Sequence, residues 1–179
     1  MEQDFEPSMA FVFSVEGGYS NDPRDPGGIT NLGVTLAEWQ LYVGRQMVVT
    51  DGVMRSLTQD DVRPLYHSHY WNASRCSDLP AGVDLIVFDA SVNTGCGRSI
   101  RALQDQVGAV VDGIIGPHTL AAVNAIDPEQ LIAALAAERL QFYQSLNTWS
   151  AFGHGWTDRV KRAQAAAENL VTTSTGASS

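Results

Sequence analysis

Apolar positions recur at helical spacing through most of the chain. Met9, Val12 and Phe13 begin a stripe that Glu16 continues at i+7, just before Gly17 and Gly18. This spacing predicts a helix over residues 8–16 that the glycine pair ends. Thr35 and Glu38 make a capping signature for a short helix running to Gly44. Residues 45–57 show no period and read as an irregular or extended connection. Thr58 opens the next helix, with Val62, Leu65, Tyr66 and His69 on one face. Pro64 inside that helix demands a later start or a kink. Residues 83–93 are apolar on nearly every side, the mark of a buried central helix, with Asp89 and Asn93 sharing one side. A helix over residues 98–107 turns Ile100, Leu103 and Val107 inward, and Pro117 takes the first position of another. Asp127 and Pro128 start the longest predicted helix, residues 128–147, with Leu131, Ile132, Leu135, Arg139 and Phe142 at helical spacing. Trp149, Phe152 and Trp156 cluster in a Gly-rich link before a last helix that starts at Thr157 and fades near Val171. The small polar residues 172–179 are expected to be a disordered tail. The expected fold is mainly α, a helical bundle around a central buried helix.

Composition narrows this reading without redirecting it. A chain of 179 residues with 44% apolar and 17% charged residues fits one globular domain. The net charge of −9 argues against nucleic acid as a partner, since phosphate binding needs a basic face. No stretch approaches 18 apolar residues, and the acidic start MEQDFEPSM does not read as a signal peptide. Stable membrane insertion is not expected, and synthesis in the cytoplasm is. Cys76 and Cys96 form no metal pattern; two reduced cysteines are expected, although a periplasmic protein could pair them. His67 and His69 make only an HxH, and the acids of NDPRDPGG miss the spacing of a calcium loop. No metal and no cofactor are expected.

The candidate chemistry lies in residues 16–35, EGGYSNDPRDPGGITNLGVT. So long a loop between two helices, rich in Gly, Pro, Asp and Asn, is expected to work rather than merely connect. Glu16 stands at the negative end of a helix dipole and on a stripe expected to be buried. Both settings favour the protonated form that a general acid needs. Asp25 supplies a second carboxylate and Thr30 a hydroxyl. A raised acid beside an ionised partner is the minimal kit for hydrolysing a glycosidic bond. Asp22, three residues earlier, competes with Asp25 for the second role.

The order Glu, Asp, Thr resembles that of phage-type lysozymes, where it crosses a helix end and a β-hairpin; here the interval before Thr30 is one residue shorter. The whole string is similar to the glycoside hydrolase family 108 N-acetylmuramidases of phages and bacterial secretion loci. EGGY carries Glu16, and DPGG with the following Thr carries Asp25 and Thr30. Further matches are Tyr70-Trp71, DLPAG at 78–82, VNTG at 92–95, DGxxGPxT at 112–119 and FGxGW at 152–156, so the resemblance spans about residues 8–170. It implies a lysozyme-like α+β fold with a small β-hairpin and loop lobe at the active site. It also implies cleavage of the β-1,4 bond between N-acetylmuramic acid and N-acetylglucosamine, in host lysis or protein release.

In that reading Glu16 is the acid, Asp25 activates a water or stabilises the transition state, and Thr30 helps position the water. Tyr19, Trp71 and Asn93 are candidate sugar contacts, with core packing the alternative for Trp71 and a helix cap for Asn93. The expected partner is the peptidoglycan glycan strand, met by a monomer acting in the periplasm and reaching it through a holin, an exporter or lysis. Such families divide into a catalytic segment, here 8–77, and a peptidoglycan-binding one, here 78–171. The buried helix at that seam favours one domain over residues 1–171. A lytic transglycosylase, a wall-binding module without turnover and a chitinase are the competing readings.

Overall fold

The structure is a computed structural model that describes residues 1–21 and 28–176. Side-chain caps open several of the helices that follow α1 (Phe5–Val15) and the hairpin strands β1 (Thr30–Asn31) and β2 (Val34–Thr35). Thr35 accepts a hydrogen bond from the Glu38 amide at 3.1 Å and opens α2 (Leu36–Val43), which Gly44 ends at φ 62°. Glu38 does not reach back to complete the box, because its carboxylate accepts from Tyr70 Oη at 2.7 Å. Thr50 caps α3 (Asp51–Ser56) inside the stretch read as irregular; six residues are too few to show a period. Thr58 and Asp61 form a full reciprocal capping box at the start of α4 (Gln59–Tyr66). Pro64 therefore causes no late start. The irregularity falls after it, as a π-helical turn over His67–Asn72.

The remaining helices are α5 (Val83–Thr94), α6 (Cys96–Gln106), α7 (Pro117–Asn124), α8 (Pro128–Gln144) and α9 (Trp149–Gly176). As its all-round apolar sequence predicts, α5 is the central helix: it packs against α1, α6, α8 and α9 and buries every residue from Val83 to Asp89. Phe5, Trp71 and Phe88 meet edge to face, with centroids 5.4–6.0 Å apart. One contiguous apolar cluster runs from Met9 in α1 through Phe88 in α5 to Ile132 in α8 and Ala167 in α9. The mainly α bundle around a buried helix, with a small hairpin lobe, is the observed architecture.

The last helix differs most from expectation. It begins at Trp149, takes in the glycines read as a link, and at 28 residues exceeds α8. Gly153 is required there, because a Cβ would lie 2.6 Å from the Trp149 indole packed against it. At the far end, Thr172 and Thr173 hydroxyls donate to carbonyls one turn earlier, at Glu168 and Asn169, and helix continues to Gly176. Among the described residues no single helix is long and apolar enough to cross a membrane.

At Gly82 the backbone of α9 presses on the start of α5. A Cβ at Gly82 would sit 2.4 Å from the Ala167 carbonyl oxygen, and φ is +80°. Gly82→Ala is expected to cost about 2 kcal/mol or more, roughly 4–8 °C in Tm for a chain of this size, measured by thermal unfolding followed by circular dichroism.

Candidate active site

Glu16 caps the C-terminus of α1 in an extended conformation, its amide bonded to Val12 O at 2.9 Å. Its side chain is 17% exposed. The hairpin folds directly onto it. β1 and β2 pair antiparallel with Thr30 opposite Thr35 and Asn31 opposite Val34, joined by Leu32 and Gly33, both at positive φ. Two successive left-handed residues make a type I′ turn, whose twist suits a tight hairpin. A Cβ on Gly33 would lie 2.9 Å from Glu16 Oε2 and 2.5 Å from Tyr66 Oη. Tyr66, from α4, donates to the Leu32 carbonyl at 2.8 Å. Burial, with the nearby Glu16 charge, pushes its phenol far above the ordinary range, so it remains a donor.

Thr30 holds the base of the working loop: it exchanges two backbone hydrogen bonds with Ser20, each 2.9 Å. Asp25 and its competitor Asp22 lie outside the described residues.

The other side of Glu16 faces a cation that pattern reading did not anticipate. Arg159 of α9 places Nη2 2.7 Å from Glu16 Oε1 and 2.8 Å from Asp89 Oδ1. Its Nε donates to the same Asp89 oxygen at 3.1 Å. Asp89 is fully buried in α5, and its second oxygen accepts from Arg139 Nη1 of α8 at 2.5 Å. Burial alone would push this carboxyl up, but the two guanidiniums outweigh it and hold it below the usual carboxylate range. Arg139 Nε then donates to Tyr143 Oη at 2.9 Å, and Tyr143 donates to Asn93 Oδ1. A chain of polar contacts therefore runs from Glu16 to Asn93 through helices α9, α5 and α8. The clues in the sequence were Asp89 within an apolar helix and Arg139 on an apolar stripe; both are charges that can be buried only when paired.

The candidate sugar contacts fare unevenly. Trp71 is 0% exposed, packed on Phe5 and Phe88, with Nε1 donating to Ser77 Oγ at 2.8 Å. It has no face to offer a sugar, so its assignment as a substrate contact is corrected to core packing. Tyr19 is half-buried, donates to Asp51 and carries the Arg55 guanidinium 4.0 Å over its ring. Asn93 is exposed in the last turn of α5 and takes part in the polar chain described above.

Two other motifs have clear local roles. The DGxxGPxT loop is built around buried Gln104, whose Nε2 donates to Asp112 at 2.8 Å and the Ile114 carbonyl at 3.0 Å. Its Oε1 accepts from the Gly113 amide at 2.8 Å. Beside the loop lies an open cavity of about 480 Å³ bordered by Ile114, His118 and Thr119. In the aromatic cluster, Trp156 stacks on Tyr143 at 4.9 Å, while Phe152 is 57% exposed. Cys76 and Cys96 are free thiols, and burial pushes Cys76 up.

A carboxylic acid held at a helix end beneath a hairpin, in a mainly α lysozyme-like fold, defines a lysozyme-type glycoside hydrolase. Comparison with known proteins agrees. Residues 9–95 match the model described as Glycosyl hydrolase 108, and residues 98–161 match the one described as Predicted Peptidoglycan domain. The structure of Brucella abortus SagA is similar at 40% identity, covering 96% of this chain and 97% of that one, with a TM-score of 0.86. No curated protein matches. The chain belongs to glycosyl hydrolase family 108 and is a peptidoglycan hydrolase.

Two outcomes test this arrangement. Asp89→Asn leaves two buried cations short of a partner and should cost about 3–5 kcal/mol at neutral pH. Because the folded-state pKa of Asp89 is depressed, its contribution is complete above the ordinary Asp value and is lost as pH falls through the lower folded value. Urea unfolding between pH 2 and pH 7 should therefore show a steeper loss of stability in acid for wild type than for Asp89→Asn. Gly33→Ala should displace the hairpin tip from Glu16 and Tyr66 and reduce hydrolysis about 100-fold, read as release of soluble fragments from purified peptidoglycan.

Proposed function

We propose that this hydrolase is an N-acetylmuramidase, cutting the β-1,4 bond from N-acetylmuramic acid to N-acetylglucosamine. The observation that carries this reading is the placement of Glu16, with Oε1 held by Arg159 at 2.7 Å and Oε2 beneath the hairpin turn. With Oε1 occupied, Oε2 is the oxygen that bears the proton and delivers it to the leaving glycosidic oxygen. Asp25, ionised, activates a water or stabilises the oxocarbenium-like transition state, and Thr30 helps position that water. Tyr19 and Asn93 contact the glycan strand. The enzyme acts as a monomer on the wall from the periplasmic side, after synthesis in the cytoplasm and passage through a holin, an exporter or lysis. Host lysis and protein release are the two roles that suit this activity.

The test is mass spectrometry of fragments released from purified peptidoglycan by wild type, Glu16→Gln and Asp25→Asn. Wild type should yield reducing N-acetylmuramic acid ends, and Glu16→Gln should lose about 10²–10⁴ in rate. Asp25→Asn, if folded, should be comparably impaired. Anhydro ends, with Asp25 dispensable, would replace this reading with a lytic transglycosylase. Folded wild type that releases nothing from several wall types would overturn the muramidase reading.

A further inference from the structure

Glu16 belongs to the segment matched by the hydrolase model, whereas Arg139 and Arg159 belong to the segment matched by the predicted peptidoglycan domain. The two segments meet at Glu16. We propose that Arg159 is a positioning residue for Glu16, so that the C-terminal segment is a working part of the hydrolytic centre and not a detachable wall anchor. This rests on Glu16 being the general acid.

The geometry of the fork carries the argument. Nη2 of Arg159 has two hydrogens, and its two carboxylate neighbours are Glu16 Oε1 at 2.7 Å and Asp89 Oδ1 at 2.8 Å. Nε holds the same Asp89 oxygen at 3.1 Å, and Arg139 holds the other at 2.5 Å. The direction in which Arg159 reaches Glu16 is thus set by α5 and α8, not by its own flexible stem. Holding α9 against α5 would need only the bonds to Asp89. The additional donation to Glu16 fixes one carboxylate oxygen and leaves the other for the substrate.

One turn further along α9, Arg162 donates to the Ser14 carbonyl at 3.3 Å and to its hydroxyl at 3.1 Å, holding the end of α1 that presents Glu16. Among the described residues, Tyr66 of α4 and the Leu32–Gly33 turn also lie close to Glu16. Tyr70 of the π-helical turn is more distant and is bonded to Glu38. Among these described neighbours Arg159 is the cation. As Glu16 gives up its proton, negative charge develops 2.7 Å from a guanidinium already in place. An interaction that strengthens along the reaction lowers the barrier rather than tightening ground-state binding.

The experiment compares wild type, Arg159→Met, Arg159→Lys and Glu16→Gln for kcat and KM on soluble peptidoglycan fragments, with circular dichroism as the control for folding. Arg159→Met should lower kcat by about 10²–10³ with KM little changed. Arg159→Lys keeps the charge but not the planar fork; a partial rescue, about 10-fold below wild type, is expected. Asp89 retains Arg139 in both variants, which favours folding. If Arg159→Met does not fold, Arg159→Lys decides. Wild-type kcat in a folded Arg159 variant, beside an inactive Glu16→Gln, would overturn the positioning role alone. A fully active Glu16→Gln would remove the acid assignment and this proposal together.

Discussion

Asp89 is a fully buried carboxylate in the middle of a largely apolar helix, and the helices packed around it are arranged to make that tolerable. An unpaired charge in such a place would be destabilising by several kcal/mol, so α8 and α9 each bring an arginine to it. The pairing sets the rotation of both helices about α5. Once Arg159 is held on one side by Asp89, its remaining hydrogen points at Glu16, and the end of α1 acquires a fixed partner. A contact needed to bury one charge thereby places another at the active site.

This arrangement changes what the two matched segments mean. The boundary between them falls at residues 95–98, a tight turn between α5 and α6 where Gly95 and Gly97 are exposed, but the apolar cluster continues from one helix to the other across it. Independent units would each have a hydrophobic core of their own. Gly82 shows the same closeness at the level of backbone, since α9 passes over the start of α5 with no room for a methyl group. The hairpin is tied in similarly: Tyr66 of α4 holds the turn carbonyl, and Gly33 lets the turn approach both Tyr66 and Glu16.

Much of the fold was legible from local signals. The caps at Thr35, Thr58 and Asp127 open helices where the sequence predicts them, and the all-round apolar helix is the buried one. α3 was missed because a single turn and a half displays no period. The start of α9 was missed because Gly153 and Gly155 read as breakers; only the Trp149 ring lying against Gly153 shows why glycine stands inside a helix. Trp71 misled for a related reason. An aromatic that could face a sugar and one that fills a core have the same letter, and burial against Phe5 and Phe88 decides between them.

The sequence by itself determined the candidate acid, since a glutamate on an apolar stripe just before a glycine pair is a local pattern. It also determined the helical class and the central helix, because periodicity and capping act over a few residues. The partner of that acid was decided only by tertiary structure. Glu16 and Arg159 are separated by nearly the whole chain, and no local rule relates them. Their meeting depends on α9 packing against α5 and α1, on Asp89 orienting the guanidinium, and on Arg139 holding Asp89 from the other side. Long-range charge pairing follows from how helices pack, and packing is a property of the assembled core.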